Sequence, residues 1–262
     1  MTGTGTQNDP YIVDTWEDFI TATGTSSVYV KVADNMVWDM NNIAPNGISS
    51  FIFNCTELDG NNALIKNAFI KGKQVVAAFN KMKNLRIENF YLKTTETGAA
   101  TLYARSGSDC SNCIFTGIID ASSAYVIDRI HENAAIHNCS FNLSFRLNNS
   151  TVNWDEKTTA NNNQFNHIIM DIINTSGIAS GNYPAYCNFQ NSLIEVIRKP
   201  EHTVNFRTGS AKNSIIRYNE GQESELNQVI DLNGTAHEVT AAQLQDAEYL
   251  WSIGFPIGVD ET

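Results

Sequence analysis

Hydrophobic residues fall at alternate positions in seven short stretches of this chain, and each stretch opens on an asparagine. The stretches run from Asn62 to Ile70, Asn84 to Leu92, Asn112 to Ile119, Asn138 to Phe145, Asn162 to Ile169, Asn191 to Ile197 and Asn213 to Tyr218. Alternation with period two predicts strands that bury one face. The opening asparagines are 22, 28, 26, 24, 29 and 22 residues apart. A period of this length marks a solenoid, whose repeats bury their apolar faces by stacking on one another. Strand cores of fixed length joined by variable connections point to a parallel β-helix rather than a leucine-rich or helical repeat. In that register Leu64, Arg86, Ile114, Ser140, Gln164, Leu193 and Ile215 are equivalent positions on successive strands.

The two ends break the pattern. In residues 1–40, Asp9-Pro-Tyr-Ile-Val reads as a turn and a short strand, and Val28 to Val32 as an alternating strand. Between them Thr15 is placed to cap a helix whose first turn carries Glu17 and Asp18, where the helix dipole favours acid. Trp16, Phe19 and Ile20 give that helix an apolar face suited to lie over the open end of the first coil and shield its strand edges. The coils are expected over residues 41–235, with loops at Thr94–Asp109, Asp120–Ala135 and Ile172–Tyr186. In residues 236–262 Thr240 and Gln243 form a capping-box pattern, a helix is expected from Gln243 to Ser252, and Gly254 sits at its C-cap. Leu250, Trp251, Ile253 and Phe255 make a dense apolar patch there, which leads us to expect a homo-oligomer, with a trimer preferred. The expected fold is all-β: a single parallel β-helix with short helices at both termini.

Composition refines this picture. Hydrophobic residues are 42% and charged residues 17%, so uncharged polar groups must cover much of the surface. There are 32 asparagines, a residue that tolerates left-handed turns and hydrogen-bonds nearby backbone, as a chain that bends after every short strand requires. A net charge of −11 with scattered Lys and Arg argues against nucleic acid as a partner. No stretch has transmembrane length, and Met1 to Gly5 lacks the basic and apolar regions of a secretory signal, so we expect neither a membrane span nor export by the general route.

Five cysteines, Cys55, Cys110, Cys113, Cys139 and Cys187, have no disulfide-framework spacing. Cys110-Ser-Asn-Cys113 has the spacing of half a zinc knuckle, but no second pair completes it. Cys55, Cys113 and Cys139 take similar places in their coils, so the cysteines read as buried small residues, with no metal and no cofactor expected. Asp128-Arg-Ile-His-Glu132 is the densest charged cluster, and Glu195, Arg198, Glu201 and His202 form a looser one around Pro200. Paired carboxylates serve glycosidases, and acids with a base serve calcium-dependent lyases. Strand alternation places Asp128 and Arg129 on opposite sides, and nothing distinguishes the second group from a coil corner turned by Pro200, so neither cluster is assigned as catalytic. His137, His167 and His237 share no metal-ligand spacing. Trp154 with Asp155, and Tyr183 with Tyr186, are aromatics in expected loops and are the candidate carbohydrate-binding residues.

The opening Gly3-Thr-Gly-Thr-Gln-Asn-Asp-Pro-Tyr-Ile-Val13 resembles the start of pectin-lyase-like right-handed parallel β-helix proteins. The ending Leu244-Gln-Asp-Ala-Glu-Tyr-Leu-Trp-Ser-Ile-Gly-Phe-Pro-Ile-Gly258 is similar to C-termini of β-helix proteins encoded in phages and prophages of Gram-positive gut bacteria. The resemblance implies a right-handed coil and a structural protein exposed on a phage virion: a head fibre, a decoration protein or a tail appendage. It implies other virion proteins and host surface polysaccharide as partners. The calcium-binding acids and catalytic base of the family's enzymes have no matching motif here. A tail-spike polysaccharide lyase or hydrolase and a bacterial surface adhesin are the alternatives.

Overall fold

Tyr11, Val30, Leu58, Met82, Cys110, Ile136, Ala160, Phe189 and Ala211 stand side by side on consecutive parallel strands. A second column runs Trp38, Ile65, Ile87, Phe115, Phe141, Phe165, Ile194 and Ile216. These columns come from a computed structural model that describes residues 1–72, 75–95, 99–121, 124–128, 135–147, 152–153, 159–161, 164–172, 180–183, 188–198, 203–206, 210–219 and 225–255. Its strands stack in parallel coils, a β-solenoid, and its few helices are short.

The expected register holds at every step. Leu64 pairs with Arg86, Arg86 with Ile114, Ile114 with Ser140, Ser140 with Gln164, Gln164 with Leu193 and Leu193 with Ile215. The neighbours of these residues point inward: Leu85, Ile87, Cys113, Phe115, Cys139 and Phe141 are all buried. Phe115 and Phe141 stack with ring centroids 5.2 Å apart. Each such apolar side chain removed from water contributes about 1.5–3 kcal/mol.

The asparagines make the corner. Asn84, Asn112, Asn138, Asn191 and Asn213 have φ of 54°, 54°, 52°, 50° and 48°, the left-handed region that asparagine tolerates better than other side-chain-bearing residues. Each serves two coils. The backbone N–H of Asn112 donates forward to His137 O at 3.0 Å, while its side-chain amide donates back to Asn84 Oδ1 at 3.1 Å. Asn138 donates in turn to Asn112 Oδ1, and Asn84 donates to Asp59 Oδ1. A second corner repeats the device: Asn89 donates to Asn67 Oδ1 at 2.7 Å, and Asn67 to Asp39 Oδ1 at 2.9 Å. Both ladders therefore run donor-to-acceptor toward the N-terminus and finish on a carboxylate, which only accepts.

The stretches read from sequence as the first two loops contain strand. Val75–Lys93 and Ala99–Ser111 are long strands, and Ala124–Asp128 pairs with the latter. Together with Phe51–Ile52 they form a third side of the coil. Ala99, Ala100, Thr101 and Leu102 are all buried, so this side shows no alternation for the sequence to betray. In the third stretch, Ile172 to Tyr186, Ser180–Tyr183 is a strand, and residues 173–179 and 184–186 lie outside the described residues.

At the N-terminal end the helix Trp16–Gly24 forms with Thr15 accepting the N–H of Asp18. Phe19 is fully buried, 4.6 Å from the ring of Trp38 and 5.7 Å from Phe53. Ile20, expected on the same face, is 45% exposed; Ala22 and Thr23 take the inward places instead. At the other end the parallel order stops at Ser214–Asn219. Glu225–Ile230 and Ala236–Val239 then add as antiparallel strands. The expected single helix divides in two, Ala241–Leu244 inside the Thr240–Gln243 capping box and Ala247–Ser252 capped afresh by Asp246. Gly254 follows with φ 80°, as its C-cap position requires.

Candidate functional site

The outward face of the first strand column is rich in paired charge. Tyr29 lies beside Glu57, Lys31 beside Asp59, Asp59 beside Lys83, Lys81 beside Asp109 and Ser111 beside His137. These are the alternate residues of strands whose other members, Val30, Leu58, Met82, Cys110 and Ile136, are buried. Lys83 reaches Glu57 Oε1 at 2.6 Å and lies 3.8 Å from Asp59 Oδ2, and the hydrogen bond to Glu57 raises its ammonium above the ordinary lysine value. His137 Nε2 lies 3.8 Å from Asp109 Oδ2.

Three depressions share these residues and run together along the face. One of about 280 Å³ holds Gln7, Tyr29, Lys31, Glu57, Asp59 and Lys83. The next, about 250 Å³, also touches Glu57 and Lys83 and continues to Lys81, Asp109 and Ser111. The third, about 600 Å³, takes in Lys81 with Ser26, Ser27, Asn54, Thr56 and Asn80. Three lysines and three carboxylates balance one another here, although the chain as a whole carries −11. The strip thus offers hydroxyl, amide, ammonium and carboxylate groups with one half-buried aromatic ring, and no dominant field.

Of the residues assigned from sequence to carbohydrate, Tyr183 is the one among the described residues. Trp154, Asp155 and Tyr186 lie outside the described residues. Tyr183 ends the strand Ser180–Tyr183, which pairs in parallel with Thr203–Phe206 and sets Tyr183 beside Phe206. Of the two charged clusters, Asp128 ends the strand Ala124–Asp128, and Glu195 and Arg198 belong to Leu193–Arg198. Arg129, His131, Glu132, Glu201 and His202 lie outside the described residues. His167 lies within the strand Gln164–Ile172. His237 meets Asp231 at 3.3 Å, and Asp231 also accepts the N–H groups of Asn233 and Thr235. Those bonds, that from Thr235 foremost, hold the Asp231 carboxyl below its ordinary value.

The C-terminal apolar patch divides. Leu250 is buried with Val229 and Val239, and Ile253 and Phe255 pack against the same cluster. Trp251 points away and is 69% exposed. Three of the four residues expected to meet another subunit are therefore used to seat the helix on its own chain.

The cysteines do not all behave alike. Cys113 and Cys139 follow Asn112 and Asn138 in one inward column, continued by Ser192 and Ser214. Cys110 faces them across the corner, and the three sulfurs lie within 4.8 Å of one another. Cys55 is at a different corner, its N–H bound to Thr23 O and its thiol pushed up to about 12 by burial. Burial also raises Cys110 strongly, whereas the hydrogen bonds from Cys110 and Cys113 pull Cys139 down.

Comparison with known protein families, with curated proteins and with solved structures finds no match for this chain. Among the described residues no helix is long and apolar enough to cross a membrane.

Proposed function

We propose that this protein is a structural β-solenoid displayed on the surface of a bacteriophage particle, and that the strip from Tyr29 to His137 holds host surface glycan. The observation that carries the reading is the strip itself: donors and acceptors at the strand spacing, fixed on a stacked scaffold and electrically balanced. Such a surface meets the hydroxyls of a neutral saccharide while Tyr29 offers an aromatic ring. Rigid presentation lowers the ordering cost of binding. Lys83 occupies both Glu57 and Asp59, which favours holding a glycan over cleaving it, since cleavage needs a carboxylate free to move a proton. The resemblance of the C-terminal stretch Leu244 to Gly258 to phage- and prophage-encoded β-helix proteins supports the virion assignment. Trp251, exposed at the C-terminal end, is the residue we assign to contact with other particle proteins or with two further copies of the chain.

The test is to purify particles from a producing culture and quantify peptides of this chain against the major capsid protein. A fixed ratio that survives density-gradient purification supports the reading. Recovery of the chain in the cell-wall or secreted fraction, with none on particles, contradicts it.

A further inference from the structure

We propose that Cys110, Cys113 and Cys139 form a three-sulfur site for a soft d10 cation, Zn(II) or Cu(I), installed as the chain folds. Sγ of Cys110 and Sγ of Cys139 are 3.7 Å apart, and all three sulfurs lie within 4.8 Å of one another. Metal–sulfur bonds of about 2.3 Å in a three- or four-coordinate site set sulfurs roughly 3.8–4.0 Å apart, so small side-chain movements close the set on one ion. Thiolate and thioether donors select Zn and Cu(I) over harder ions. Met82 pairs in register with Cys110 and brings a thioether to the same layer of the core.

The surroundings explain why three cysteines, and not one or two, matter here. Among the described residues, the column that holds Cys113 and Cys139 includes Ala63 and Leu85 before them and Ser192 and Ser214 after them, all buried. Ser214 Oγ donates to the carbonyl two residues back, and Cys113 and Cys139 make the same contact to Ser111 O and His137 O. A serine would therefore serve the backbone equally well in those two places. Cys110 lacks such a carbonyl contact in the described set and turns to the other sulfurs. Coordination releases the thiol protons to solvent, and three thiolates on a divalent ion leave a single negative charge in place of separate buried thiols. Because the three residues are at most 2% exposed, the ion must enter before the coils close.

The site is independent of the glycan reading, and its test does not use binding. The full chain is unfolded under reductant and refolded in parallel with Zn(II), with Cu(I), with Cd(II) as a spectroscopic probe, and with chelator. After desalting, wild type is expected to retain about one equivalent of ion per chain, with Cd(II) giving a sulfur-to-metal charge-transfer band. X-ray absorption should find sulfur neighbours at about 2.3 Å for Zn or Cu. Retention of zinc assigns a divalent centre and retention of copper alone a monovalent one. Cys139→Ser, which copies Ser192 and Ser214, is expected to lose at least about tenfold in retained ion, as loss of a ligand should, while Cys55→Ser loses none. Should Cys139→Ser fail to fold, Cys113→Ala, which copies Ala63, is read the same way. Wild type that retains no more ion than these variants, in every arm, overturns the proposal.

Discussion

The side-chain amide of Asn84 donates to Asp59 Oδ1 at 3.0 Å, and that bond ends a chain of amides passed down from Asn138 through Asn112. Asn112 therefore combines a left-handed backbone with two ladder bonds. Asn112→Gly keeps the backbone and loses the ladder; Asn112→Ala loses both. We expect urea unfolding to place the alanine variant about 1 kcal/mol or more below the glycine variant, the cost of a β-carbon in that conformation. Equal stabilities would mean that backbone geometry does not set the corner.

Gly117 sits where the strand from Ile114 passes Phe90. A β-carbon there would stand 2.4 Å from Phe90 O, a contact with backbone that no rotamer relieves. Gly117→Ala is expected to cost about 1–3 kcal/mol in chemical denaturation, the usual range for overpacking. A neutral result would show that the two coils are farther apart than described.

Leu250 and Trp251 separate folding from assembly. Leu250→Ala should destabilise by about 2–3 kcal/mol, since it empties a buried place beside Val229 and Val239. Trp251→Ala should stay within about 0.5 kcal/mol of wild type, as exposed substitutions do. Light scattering on the Trp251 variant then reads association alone: a trimer built on this residue falls to the 29.0 kDa chain.

Acid should weaken the fold through Asp39 and Asp231. The side-chain amide of Asn67 lowers the first and the N–H of Thr235 lowers the second from an ordinary 3.8. Folding depresses both values, so their stabilisation is complete above the unfolded value and is lost as pH falls through the lower folded values. Melting temperature should hold from neutral pH to about pH 5 and fall below about pH 4, and Asp231→Asn should make that fall shallower. A melting temperature that does not change below about pH 4 would contradict this account.

The stack was legible because alternation and the asparagine corner coincide. Leu64 and Ile215 fall in one row, six strands apart, on the strength of those two signals. The third side was not legible, because Ala99 to Leu102 are all buried and carry no alternation. The polar strip was missed for another reason. Tyr29, Glu57, Lys83 and Asp109 come from different strands, and only stacking brings them together. Cys110 was read with Cys113 by spacing, while Cys139, from the next coil, completes the group only once the corner is folded.

The most direct test of the account is to titrate host surface polysaccharide into the protein while assaying for new reducing ends or unsaturated sugars. The account predicts saturable binding without product, weakened about tenfold or more by Tyr29→Ala and by Lys83→Ala with the fold intact. Binding unchanged by both substitutions, or steady release of product, would contradict it.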